Sequence, residues 1–341
     1  MRSGGGDPDT FDCDSAHMPA VSNRRDILTT EPIGWGRLQP FATQFMAMGG
    51  HNEIVACAQD GAAAKAALMA AASEVLRIEA KYSRYRADSL VCQINRQAGT
   101  SAHLPCDDET NRLLACADHF HRLSDGLFDA TSGVLRRAWD FSTHRIPDAA
   151  DLEPLLALVG WHGVERSSRG VRLPRSGMEI DFGGIGKEYA ADRAASRLAG
   201  LGIRHGYVNL GGDIAVVGPQ PDGAPWPMGV QNPRRRGEVL AHIPMSYGGL
   251  ATSGDGEKFF EVGGKRYCHI LNPKTGYPVH HWASVSVRTD SALSAGALST
   301  IAMLKERDGL AFLRGQPCAY FVVDIGGRIH ANQPDNKDRR A

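Results

Sequence analysis

Three observations predict an α+β fold with helices packed on antiparallel-rich sheets. Alternating apolar runs recur across glycine pairs, at Gly49-Gly50, Gly263-Gly264 and Gly326-Gly327, as antiparallel hairpins require. Between them lie segments with apolar residues at helical spacing. The clearest are 62–81, with Leu68, Ala71, Val75 and Ile78 on one stripe, and 108–125, with Leu113, Ala117 and Phe120. Helices and strands are mixed irregularly, with no βαβ series and no fixed-period repeat.

Residues 1–38 are polar, rich in Gly, Asp and Arg, and aperiodic, as expected of a flexible tail. Residues 41–59 hold two strand segments, and helix 62–81 follows. A turn at Asp88-Ser89 leads into a short helix-like piece within 82–97. Helix 108–125 ends at Gly126. The stretches 128–141 and 148–161 each read as a short helix, the first after a turn. A hairpin turning near Ser168–Gly170 occupies 164–182, ending in a short strand, Met178–Phe182. A glycine-rich turn then opens a helix that reaches about Gly200. Residues 207–218 are a strand pair broken by glycines. Beyond 226 the pattern is mostly β: a hairpin over 257–272, a strand at 283–289, and a closing hairpin over 319–332. One helix interrupts it, 290–305, with Asp290 as its expected N-cap. One domain over 39–335 is expected, with a short tail at 336–341.

Of the 341 residues, 42% are hydrophobic and 22% charged, as in soluble globular proteins. The 38 basic and 38 acidic residues cancel, which argues against a general binder of nucleic acid or membrane surface. The 7 cysteines are odd in number and show no C-x-x-C spacing, so reduced, mostly buried thiols are expected. The N-terminal segment has no apolar core of a secretory signal, and Cys13 does not follow a small-apolar run. No run of apolar residues is long enough to span a bilayer, so no membrane insertion is expected. The chain as it stands is expected in the cytoplasm, with Met18 as an alternative initiator.

The stretch "MEIDFGGIGKEYAAD", residues 178–192, has the form of a phosphate cradle: a strand, a glycine-rich turn and a helix start. It is not a P-loop, because Glu188 follows Lys187 where a Mg²⁺-binding hydroxyl is needed, and Gly183 and Gly186 are too close. It is not a dinucleotide fingerprint either, since Tyr189 stands where the third glycine belongs. Close backbone approach and free helix amides remain available, with Lys187 adding positive charge. A plain tight turn would use the same glycines for positive φ.

Other segments stand in a telling order: "MAMGG" (46–50), "SRYRADS" (83–89), "GLFDATSG" (126–133), "YVNLGGD" (207–213), "LATSGDGEKFFEVGGKRYCHILNPKTG" (250–276) and "AGALST" (295–300). With the glycine stretch they resemble the ApbE-type FAD:protein FMN transferases, over residues 41 to about 332. The resemblance implies a T-fold-like mixed α/β domain. It implies transfer of FMN from FAD to a Ser or Thr of a target flavoprotein through a phosphoester, with release of AMP and use of Mg²⁺. Hydrolysis of FAD to FMN and AMP, or FAD binding without catalysis as a scaffold, are the alternatives.

The same resemblance implies site residues. Met48, Tyr85, Phe128, Asp129, Thr131, Asn209, Asp213 and Ser253, flanked by Thr252 and Gly254, would line the flavin nucleotide. Asp181 and Lys187 would face FAD, with Ile270 beside them. His269 would stand near the transferred phosphate, and its near-neutral pKa suits a base for the incoming hydroxyl. A backbone oxygen at Gly184 and the Thr300 hydroxyl would ligate Mg²⁺.

Two departures qualify this. The family has an aspartate where Gly296 stands, one helical turn before Thr300, so that both reach one ion. It also has Asp where Asn272 stands. Asp290 lies about 15 Å from Thr300 along a helix, too far to substitute. Asp213, Asp255 and Glu257 come from other segments and could approach. Weakened Mg²⁺ binding is therefore expected.

Overall fold

Period-two alternation carries the centre of the structure, a computed structural model that describes residues 38–332. The expected tails, Cys13 and Met18 lie outside the described residues, apart from residue 38. From the N-terminal side, the hairpin β1 (Gln39–Ala47) and β2 (Gly50–Ala58) leads to α1 (Gly61–Tyr82), α2 (Leu90–Arg96) and α3 (Asp108–Leu123). A 3-10 turn (Ser132–Arg137), α4 (Ala149–Leu156) and a small hairpin, β3 (Glu165–Ser167) and β4 (Gly170–Arg172), precede α5 (Gly186–Gly200). Then come β5 (Gly206–Leu210), β6 (Asp213–Gly218), β7 (Trp226–Gln231), β8 (Val239–Met245) and β9 (Gly248–Gly254). The hairpin β10 (Phe259–Val262) and β11 (Lys265–Cys268) follows, then β12 (Trp282–Thr289), α6 (Ala292–Leu304), α7 (Gly309–Arg314), β13 (Ala319–Asp324) and β14 (Ile329–Ala331).

Eight strands form one sheet in the order β1-β2-β5-β6-β9-β12-β13-β14. Every neighbouring pair is antiparallel. Successive side chains point to opposite faces, and both faces of its middle are covered. Ile54 and Ala56 of β2 and Ala215 of β6 join a core with Val75 and Ile78 of α1 and Ala190 and Ala194 of α5. Val55, Cys57, Ile214 and Val216 point the other way, into a cluster with Trp226, Met228 and Met245 of the β7–β8 ribbon. The α6 helix is apolar nearly all round, with Ala295, Ala297, Leu298 and Ile301 buried. Such a helix belongs inside, and it packs on β9 and β12 beside α5.

Most expected elements are present, with three corrections. Met178–Phe182 is not a strand. Its alternation is real, with Met178, Ile180 and Phe182 all buried, but the backbone finds other partners. Ile180 N–H donates to Asn95 Oδ1 at 2.7 Å, Asn95 Nδ2 returns a bond to Ile180 O, and Asp181 N–H donates to Ala130 O. Asp290 does not cap the helix that follows; Ser291 does, accepting from Ser294 N–H. The short helix α7 was not foreseen. The thiols are also less buried than expected. Cys57 and Cys268 are buried, whereas Cys92, Cys106, Cys116 and Cys318 are half-exposed. Among the described residues no helix is long and apolar enough to cross a membrane.

A second acid fixes the start of α6 from outside. Asp192 of α5 accepts from Ala292 N–H at 2.8 Å and Leu293 N–H at 2.9 Å, satisfying two helix-terminal donors across the α5–α6 contact. Asp192→Ala should lower unfolding stability by about 1–2 kcal/mol, as loss of a helix cap does. Urea denaturation measures it, and an unchanged midpoint would reject the role.

Candidate active site

Gly183, Gly184 and Gly186 form the turn into α5, and none has positive φ. Their use is therefore space, not backbone conformation. A Cβ on Gly184 would lie 3.1 Å from the Phe128 ring, and one on Gly183 would lie 3.1 Å from Asp181 Oδ1. The turn delivers an α5 N-terminus whose N-cap, Ile185, offers no side-chain bond. This end of the helix opens on a cleft walled by the 127–133 loop, the end of β9, residues 269–271 and Thr300 of α6.

Lys187 reaches across from α5 to Asp213 at the start of β6, with Nζ 2.9 Å from the carboxylate. Burial disfavours the ammonium, but Asp213, Glu188 and Glu257 outweigh it and raise its pKa above the ordinary lysine value. Glu188 is only 7% exposed, and its Oε2 has no hydrogen-bond partner. Burial first, and then the charge of Asp213, push its carboxyl well above the usual range. Burial likewise raises Asp213 against the pull of Lys187. One lysine thus faces two buried acids, paired with Asp213 and leaving Glu188 Oε2 without a partner. Among the described residues no three His, Cys, Asp or Glu side chains converge on a ready-made metal cage.

On the opposite wall, Asp181 lines the cleft but is engaged. Its carboxylate pairs with Arg136, lies 3.7 Å from Arg84, and accepts from Gly183 N–H at 2.8 Å. Asp129 also lines the cleft while holding its loop: Oδ1 accepts from the Thr131 amide and hydroxyl, and Oδ2 accepts from Trp161 N–H. Thr131 is fully buried and takes a bond from Gly160 N–H, so its work is inside the loop.

His269 follows β11, on a hairpin that is not part of the main sheet. An aromatic cluster anchors that hairpin. Phe260 and Tyr267 stack at 5.3 Å and pack around Trp139, whose indole N–H donates to Gly276 O at 2.7 Å. His269 N–H donates to Lys258 O, and Nδ1 donates to the same carbonyl at 3.3 Å, which leaves Nε2 as an acceptor. Burial, then the charges of Arg136, Lys258 and Lys187, lower its pKa to about 4. Ser253 Oγ lies 2.8 Å from Ser299 Oγ and 3.0 Å from Thr300 Oγ1, tying β9 to α6 at the floor.

Thus Phe128, Asp129, Asp181, Gly184, Lys187 and Asp213 meet at one cleft with Ser253, His269, Ile270 and Thr300. Met48, Tyr85, Thr131 and Asn209 are not on its walls. Met48 forms the β1–β2 turn at φ 55° and donates its N–H to Glu79, Tyr85 is 76% exposed against Arg84, and Asn209 accepts from Gly212 N–H. Of the acids considered as substitutes, Glu257 and Asp213 line the cleft. Asp255 is held by Arg234 and Arg266 instead. Asn272 is absent from the cleft walls, and its Oδ1 accepts from Lys274 N–H, closing its own turn. Sequence reasoning passed over Glu188 and Arg136. Glu188 stood in the quoted glycine stretch, but only its packing distinguishes it from an ordinary helix-surface acid.

An uncapped helix N-terminus, a half-buried lysine and a neutral imidazole face one glycine-walled cleft, an arrangement that suits a phosphate-bearing ligand. The ApbE family model matches residues 48–337. The FAD:protein FMN transferase of Klebsiella pneumoniae is 32% identical over 256 residues, covering 72% of this chain and 79% of that protein. That of Haemophilus influenzae is 30% identical over 236 residues, 65% of this chain and 68% of the relative. The crystal structure of the ApbE protein from Thermotoga maritima superposes with a TM-score of 0.80 at 32% identity, covering 86% of this chain and 97% of that one. The apo flavinyl transferase ApbE of Pseudomonas stutzeri gives 0.76 at 29% identity, covering 87% and 95%. This chain belongs to the ApbE family.

The His269 environment carries a pH signature. Its folded pKa lies below the unfolded value, so the unfolded chain binds more protons between the two. The stability it contributes is complete above about 6.5 and is lost as pH falls toward 4. In FAD-free protein, the His269 ring proton followed by NMR should titrate near 4. A midpoint at the ordinary histidine value near 6.5 would refute the half-buried, cation-flanked environment.

Proposed function

We propose that this chain is a transferase that moves FMN from FAD to a hydroxyl of a target flavoprotein. The observation that carries the reading is one cleft where the α5 N-terminus, Lys187 and His269 converge, in a chain of the ApbE family. The acceptor oxygen of a Ser or Thr forms a bond to the FMN-side phosphorus. The pyrophosphate P–O bond breaks, and AMP carries away the electron pair. His269, neutral with Nε2 available, takes the hydroxyl proton. Lys187 and the first amides of α5 face the charge that builds on the phosphate oxygens. Arg136, held by Asp181, adds positive potential from the opposite wall.

The donors present also fit Mg²⁺: they are oxygens, and one buried carboxylate oxygen lacks a partner. When bound, such an ion neutralises charge on the pyrophosphate. Glu188, the Gly184 backbone and the Thr300 hydroxyl are the groups that would hold it. The scaffold alternative leaned on two absent carboxylates, and Glu188 in the cleft supplies a carboxyl near the place of one of them.

Incubation of the protein with FAD and Mg²⁺, with and without a flavin-acceptor domain, should yield protein-bound flavin detectable by in-gel fluorescence. Free FMN in both cases would mean hydrolysis, and unchanged FAD would reject the reading. His269→Ala should slow transfer by about 10²–10⁴-fold while FAD affinity changes only a few-fold. Transfer at the wild-type rate would remove the imidazole from its role.

A further inference from the structure

The least expected object in the molecule is a carboxylate pressed against a glycine. A Cβ built on Gly296 would lie 2.5 Å from both Cγ and Oε1 of Glu188 and 2.7 Å from Cδ. As the side chain stands, the Glu188 carboxyl occupies the volume a Cβ at position 296 would fill, so any other residue there would have to displace it. We propose that Glu188 is the cation-binding carboxylate of this site, reaching across from α5 into space that only a glycine at position 296 leaves open.

Four observations support it. Glu188 Oε2 is buried without a partner, and an orphaned buried carboxyl oxygen is costly unless something binds it. The strongest nearby cation is already committed, because Lys187 is bound to Asp213 at 2.9 Å. Gly296 stands one helical turn before Thr300 on α6, so the carboxyl lies against the face that carries the Thr300 hydroxyl. Gly184, Glu188 and Thr300 all line the same cleft. An oxygen-only set with one or two carboxylates and room for substrate phosphates is how proteins hold Mg²⁺. The expectation of weakened metal binding from Gly296 alone is therefore replaced: the acid is present, delivered from the neighbouring helix. The inference deepens the proposed FMN transfer and rests on it for the purpose of the ion.

Mn²⁺, as a stand-in for Mg²⁺, can be titrated into the purified full chain and the free ion followed by EPR. Glu188→Gln keeps the shape and removes the charge. It should weaken Mn²⁺ binding at least ten-fold, with the circular dichroism spectrum unchanged. Gly296→Asp alone should lower the melting temperature, since it forces overlap and a second charge on Glu188. The double variant Glu188→Gly/Gly296→Asp should restore both the melting temperature and Mn²⁺ binding to within about three-fold of wild type, as expected for directly coupled sites. Equal Mn²⁺ affinity in wild type and Glu188→Gln, or no rescue in the double variant, overturns the proposal. FAD turnover measured alongside separates the two readings. Glu188-dependent Mn²⁺ binding with intact FAD would reject the transferase alone. Flavin transfer with Mn²⁺ binding indifferent to Glu188 would reject this inference alone.

Discussion

The site depends on one close approach, that of the α5 N-terminus to α6. The glycine-rich turn aims the first turn of α5 into the cleft, and Lys187 and Glu188 arrive together on it. Lys187 is fixed by Asp213 from β6, so α5, the sheet and the charge pattern are tied at a single point. Burying two acids and one ammonium is expensive unless each charge is answered. The fold answers Asp213 with Lys187 and leaves Glu188 open. A buried carboxyl left without a partner beside an ion pair is the kind of arrangement that marks a functional site.

The rest of the architecture holds these few groups still. Both faces of the central strands are covered, so β6 and β9 each cannot shift without disturbing two cores. Asp192 pins the start of α6 to α5. The Ser253–Thr300 hydrogen bond pins its middle to β9. His269 is held differently, on a two-stranded hairpin wedged by stacked aromatics. The imidazole and the α5 wall therefore belong to different parts of the structure and meet only across the cleft.

The sequence exposed the fold well because its signals were periodic. Glycine-paired hairpins and helical stripes at 62–81 and 108–125 are local patterns, and local patterns survive folding. Met178–Phe182 shows the limit. Its alternation correctly marks which side chains are buried, but whether a backbone pairs with a strand or with the Asn95 amide is decided 85 residues away. The site was legible in part. Residues on the glycine turn, the β9 end and the 269–270 segment do meet. Met48, Tyr85, Thr131 and Asn209 do not line the cleft, because a motif gives proximity along the chain and not the direction of a side chain. Glu188 was invisible for the same reason: the space it fills is defined by a residue 108 positions further on.

That contact also couples two positions far apart in the chain. The Glu188 side chain and any side chain at 296 would compete for one volume, so a substitution on either helix changes the space open to the other.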